Sequence, residues 1–168
     1  MTIDEKLHSS HSWDQIKQDF LASGDASPVL VGLTSVIDQM ALQAYAASLA
    51  PAFPNGLAML AVGGFGRREL FPYSDVDIML LVEREALAAD LKEPLSEFVR
   101  LLWDAGLRLS HSVRTIAECI EIHEGNIELN ISLLDRRLLG GDQVLYGNLE
   151  AKLPVFLERK GRVLSRHL

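Results

Sequence analysis

Cysteine is almost absent. Cys119 is the only one in 168 residues, so no disulfide can close within the chain and cysteine-rich metal motifs are excluded. The five histidines show no ligand spacing and no H-E-x-x-H occurs, which argues against zinc. There is no uninterrupted run of 18 apolar residues and no signal-peptide pattern after Met1, so the expected location is cytoplasmic. Basic residues are outnumbered, 16 Lys and Arg against 23 Asp and Glu. A net charge of −7 argues against broad, nonspecific binding to nucleic acid. No G-x-x-x-x-G-K-[ST] is found, so the chain is not a P-loop protein. Gly64-Phe65-Gly66 opens a G-x-G-x-x-G, but Glu69 stands at its last position and the dinucleotide fingerprint fails. Internal repeats and low-complexity tracts are also missing.

The remainder is an ordinary globular balance, 48% hydrophobic and 23% charged, in a length that suits one domain with a core of useful size. Its most informative stretch runs from Leu60 to Val82. An apolar run, Leu57 to Val62, stops at Gly63-Gly64, and a second, Ile78 to Val82, is entered through Asp75-Val76-Asp77. This reads as two buried strands joined by a polar, turn-rich loop. On a strand Asp75 and Asp77 point to one side, with Val76 and Ile78 pointing into a core, and their carboxylates stand roughly 6–7 Å apart. Two such acids repel each other unless a hard cation compensates them. Glycines directly after a strand let backbone N–H groups approach an anion closely. Arg67 and Arg68 add charge suited to phosphate oxygens. Together these are the parts of a nucleotidyl or phosphoryl transfer site.

Around that stretch the pattern predicts an α/β (α+β) fold, a small mixed sheet flanked by helices. An N-terminal helical segment, 1–56, contains a helix over Trp13 to Ala22 and a second starting at Ser27-Pro28 and running to about Leu49. The core, 57–144, adds a helix from about Pro94 to Ala105 with an apolar face of Leu95, Phe98, Val99, Leu102 and Trp103, which is expected to be buried. Gly106 ends it, and Leu107 to Val113 alternates as a strand. Thr115 and Glu118 form a capping box for a helix over Ile116 to His123. Asn126 to Leu134 reads either as a strand or as a short helix followed by a strand over Leu133 to Leu139. Gly140-Gly141-Asp142 is expected to turn. The final segment, 145–168, reads as one or two helices with Pro154 at a boundary, and it is basic, five Lys and Arg against one Glu in residues 151–168.

The strings VGGFGRREL and FPYSDVDIMLLV, with LLWDAGLRLSHSVRTIAECIE and LLDRRLLGGD further on, resemble the catalytic domain of the bacterial protein-PII uridylyltransferase family. That family lies in the nucleotidyltransferase superfamily that includes DNA polymerase β, and the matching blocks run from Ala58 to Asp142. The resemblance implies a nucleotidyltransferase fold and Mg²⁺-dependent transfer of UMP from UTP onto a tyrosine of the PII nitrogen-signalling protein. By the same resemblance Asp75 and Asp77 hold Mg²⁺, Gly63 and Gly64 approach the phosphates, and Arg67 or Arg68 offsets triphosphate charge. Ser74, His111 and Arg114 are further candidate nucleotide contacts. Superfamily members carry a third acid on a neighbouring strand, but Leu107 to Val113 has none. Arg108 stands where the pattern often has Glu and Asn126 where it often has Asp, which leaves Asp135 as the candidate. Arg136 and Arg137 read as ion-paired surface residues or as a bridge to the acidic site. Two alternatives stay open: a transferase with another protein or small-molecule acceptor, and a catalytically silent nucleotide-binding or interaction module. The family's hydrolase and glutamine-sensing domains have no room in 168 residues, so the chain is expected to be a fragment or a short relative.

Overall fold

A computed structural model describes residues 11–71, 73–84, 90–121 and 127–164. Helices α1 (His11–Ser23) and α2 (Ser27–Ser48) lead into strand β1 (Leu57–Val62), which runs directly into a single helical turn, α3 (Gly63–Gly66). Strand β2 (Val76–Val82) is followed by helix α4 (Lys92–Asp104), strand β3 (Leu109–Thr115) and the short helices α5 (Ile116–Cys119) and α6 (Ile127–Ser132). Strand β4 (Arg136–Gly141) and the long helix α7 (Gln143–Leu164) complete the described chain. The strands form one mixed sheet in the order β3-β2-β1-β4, with β1 antiparallel to both β2 and β4, and β2 parallel to β3.

Strands β1 and β2 are buried on both faces, which is why they read as continuous apolar runs. On one face Leu57, Met59, Ala61, Ile78 and Leu80 pack under α2 and α4. On the other, Ala58, Leu60, Val62, Met79 and Leu81 pack under α7. Helix α2 has the length and mean hydropathy of a membrane span. Leu33, Ile37, Met40, Ala41 and Ala44 nevertheless bury it against the sheet, and its Asp38 holds Arg137 of β4 through two 2.9 Å hydrogen bonds. That accounts for its apolar character as a core helix. Arg136 pairs with Glu150 of α7, so neighbouring arginines of β4 tie the sheet to both helical layers.

Several boundaries and one burial expectation are corrected. Trp103 is 62% exposed. Phe98 and Leu102, one turn apart, face the sheet, and the next residue is rotated about 100° away from that line. The Ser27-Pro28 pair, expected as cap and first position, sits one residue further in: Ser27 is the first residue inside α2, and the Asp25 carboxylate accepts its N–H at 2.9 Å. Strand β3 starts two residues late, because Leu107 N–H closes onto Leu102 O at 3.0 Å to finish the α4 terminus. The capping box of Thr115 and Glu118 forms, but its helix ends at Cys119. Residues 127–132 take the helical alternative, and Asn126 lies outside the described residues. Gly140 and Gly141 continue β4, paired with Met59 and Ala58, after a register shift that accommodates Leu139. Pro154 sits inside a single helix α7.

Candidate functional site

Asp77 lies at the start of β2, where the core under α7 runs out. It pairs with Ser110 of β3, while its neighbours in register, Ala61 and Ile78, place Val62 on its other side. The side chain therefore shares a face with Val62, Met79 and Leu81 and looks into a cleft of about 240 Å³. Ser110 and Ser112 of β3 line that cleft from one side, Glu128 and Ser132 of α6 from another. Burial pushes the Asp77 carboxyl above its ordinary range; a hydrogen bond from Ser110 opposes the shift, and the nearby charge of Asp75 adds to it. Asp75 itself is exposed at the strand entrance, with Arg108 Nε 3.9 Å from its Oδ1. Both partners are largely solvated, so the pair is weak.

The glycine turn is built against this acid. Gly63 has φ +58°, and a Cβ there would stand 3.6 Å from Asp77 Oδ2 and 3.9 Å from the Ser132 Cβ. A side chain on Gly63 would thus point into the space between the Asp77 carboxylate and Ser132 of α6. Glu69 N–H donates to Gly64 O at 3.0 Å and Arg67 N–H to Gly63 O at 3.1 Å, which closes the turn. Gly66 has no room for a side chain, since a Cβ would meet the Asp135 carbonyl oxygen at 2.0 Å. Arg137 secures the same turn by donating to Phe65 O at 3.3 Å with its guanidinium over the Phe65 ring.

The other expected site residues fall in different places. Asp135 precedes β4, two strands from β2, and accepts Arg67 Nη1 at 2.6 Å. Arg67 also donates to Glu69 at 2.9 Å, so these three residues form a group on the β4 side of the turn. Arg68, with φ +63°, and Ser74 are exposed in the loop between β1 and β2. His111 pairs with Ile78, so its side chain leaves from the opposite face at the cleft's rim. Arg114 pairs with Leu81, about 13 Å along the sheet from Asp77 at strand rise, and faces Glu118 at 3.7 Å. Gly63 stands against Asp77, and Asp75 is close enough for its charge to act on Asp77; Arg67 is paired with Asp135, and Arg114 with Glu118. Glu128, Ser110, Ser112 and Ser132 were not anticipated. The alternation LSHS already put both serines on one face, and Glu128 and Ser132 have the i, i+4 spacing of a helix face, once 127–132 is taken as helix.

Among the described residues no three potential ligands are assembled as a metal site. The donor set of Asp75 and Asp77 is nevertheless hard oxygen, the chemistry that magnesium prefers. Cys119 is fully buried with its thiol pushed up to about 12 by that burial, so it is no nucleophile. A larger groove of about 370 Å³ along α7, lined by Ile120, Val155 and Phe156, has neither acid nor glycine turn and is not the chemical centre.

The fold is consistent with a class, the small α+β nucleotidyltransferase-like domain: a four-stranded mixed sheet flanked by helices, here with a glycine turn beside a half-buried acid. No family model matches the chain. It is 34% identical over 163 residues to the bifunctional uridylyltransferase/uridylyl-removing enzyme of Nitrosococcus oceani, covering 92% of this chain and 18% of that protein. The protein of the same name from Cupriavidus metallidurans is 35% identical over 158 residues, 90% of this chain and 18% of the relative. That of Nitrosospira multiformis is 48% identical over 98 residues, 55% and 11%. The chain is related to these enzymes over the shared stretch, which is under a fifth of their length.

Proposed function

We propose that the chain is the transferase portion of such an enzyme, moving UMP from UTP onto a protein hydroxyl of the PII type and releasing pyrophosphate, in the bacterial cytoplasm. The observation that carries this reading is the Gly63 backbone seated beside Asp77 Oδ2, a cradle that a Cβ would begin to fill. Asp75 and Asp77 are the residues that would hold Mg²⁺, which when bound offsets triphosphate charge and polarises the reacting phosphate. Gly63 and Gly64 offer backbone close to the phosphates. Arg67, held by Glu69 and Asp135, presents an oriented guanidinium on the same turn, with Asp135 as its anchor. Ser74, Arg68, His111 and Arg114 border the entrance or the far end and are proposed as outer nucleotide contacts.

The rival is a module that binds nucleotide without turnover, favoured by the lack of three assembled ligands among the described residues. Incubation of the chain with purified PII protein and UTP radiolabelled at the α-phosphate separates the two. The transferase reading expects label on PII in the presence of Mg²⁺ and none with EDTA or in Asp77→Asn. Tight, Mg²⁺-dependent UTP binding with no label transferred would leave the binding module. Pyrophosphate release with the label recovered as free UMP and none on PII would show transfer to water by a competent enzyme whose acceptor is not PII.

A further inference from the structure

We propose that Glu128 takes the proton from the attacking hydroxyl, an inference that rests on the transfer reading above. Strand β3, beside Asp77, carries no acid, and the Asp135 carboxylate is engaged by Arg67 at 2.6 Å. Helix α6 supplies the acid instead. Its Ser132 lies 3.9 Å from the point where a Gly63 Cβ would sit, and Asp77 Oδ2 lies 3.6 Å from the same point. Glu128 is one helical turn from Ser132 on the same side of α6, and both line the cleft that holds Asp77.

The opposite side of α6 is fixed. Asn130 is 2% exposed and its amide donates to Cys119 O at 3.0 Å, and Leu133 just after the helix is fully buried. Glu128 is therefore aimed at the cleft by an anchored helix, and it is exposed, with no ion pair among the described residues to neutralise it. Among the described residues no Lys or Arg lines this cleft; the hydroxyls of Ser110, Ser112 and Ser132, the His111 imidazole at the rim and the carboxylates of Asp77 and Glu128 do. Such a lining repels an anionic acceptor and suits a neutral hydroxyl, a tyrosine phenol or an alcohol. In the step, the acceptor O–H proton goes to a Glu128 carboxylate oxygen while the acceptor oxygen bonds to the α-phosphorus. The α–β phosphoanhydride bond breaks, and pyrophosphate leaves with its electron pair.

The test compares wild type, Glu128→Gln and Asp77→Asn for labelled PII and free UMP formed from α-labelled UTP, and for Mg²⁺-UTP affinity by calorimetry. Glutamine is isosteric at an exposed position, so the fold is retained. The expected result is turnover lower by about 10²–10⁴-fold in Glu128→Gln, with Mg²⁺-UTP affinity unchanged, while Asp77→Asn loses both. Turnover in Glu128→Gln within about threefold of wild type overturns the assignment and leaves the transferase reading intact. Loss of Mg²⁺-UTP affinity in Glu128→Gln also overturns it, because Glu128 is then a ligand and not the base. A wild-type chain that binds Mg²⁺-UTP and forms neither product overturns both.

Discussion

Asp77 is held between opposing influences, and its pH dependence follows from them. Burial, and behind it the charge of Asp75, raise its carboxyl above the ordinary 3.8, against the Ser110 hydrogen bond. An acid raised in the folded state favours its neutral form there. Its contribution to stability is full below the unfolded value and is lost as pH rises through the folded one. At neutral pH, without a cation, Asp77 thus weakens the fold, and Asp77→Asn is expected to raise Tm by a few degrees in EDTA. The gain should vanish near pH 3, where both side chains are neutral. A lower Tm for the variant at pH 7 would make Asp77 a structural residue. The sequence made this acid legible because its strand is so apolar that a charge in it needs a reason. Glu128 was hidden, since its meaning depends on α6 folding back beside Gly63, a contact between residues far apart in the chain.

At the scale of elements, two glycines separate close packing from open space. A Cβ at Gly66 would meet Asp135 O at 2.0 Å and Ala61 O at 3.1 Å, both backbone atoms that cannot step aside. Gly66→Ala is expected to cost about 3 kcal/mol or more. Gly147, on the exposed side of α7, has nothing within 4 Å of its Cβ position, and Gly147→Ala should add about 0.5–1 kcal/mol. Urea unfolding of both variants checks the contrast; similar midpoints would mean that the glycine turn is not sealed on β4. The strands β1 and β2, helix α2 and the cap at Thr115 were readable from runs, periodicity and a short-range motif. Misread boundaries were those decided by tertiary contact. Gly140 and Gly141 looked like a turn, yet β1 draws them into the sheet, where Gly141 at φ +94° packs on Leu57 O. The turn comes only at Asp142, whose carboxylate accepts the N–H groups of Val144, Leu145 and Gly56.

Across the whole molecule, the site is bounded by parts that are fixed to different layers of the fold. Arg137 joins α2 to β4 and to the Phe65 carbonyl of the glycine turn, so the turn rests on the same ion pair that fixes a core helix. α6, pinned through Asn130, closes the other side. A ligand gripping Asp77 and the turn therefore touches parts that come together only in the folded state, and its binding must appear as stability. At about 100 times its Kd such a ligand adds about 2.7 kcal/mol, or about 5–10 °C in a chain of this size. Mg²⁺ with UTP is expected to give a shift of this order in thermal unfolding. Either component alone should give much less, because two carboxylates and a triphosphate repel each other without the cation. Asp77→Asn should abolish the joint shift while leaving the cation-free protein at least as stable as wild type. An equal shift with UTP in EDTA would mean that the nucleotide binds away from the acids, and the glycine turn would then have to be read as a structural corner.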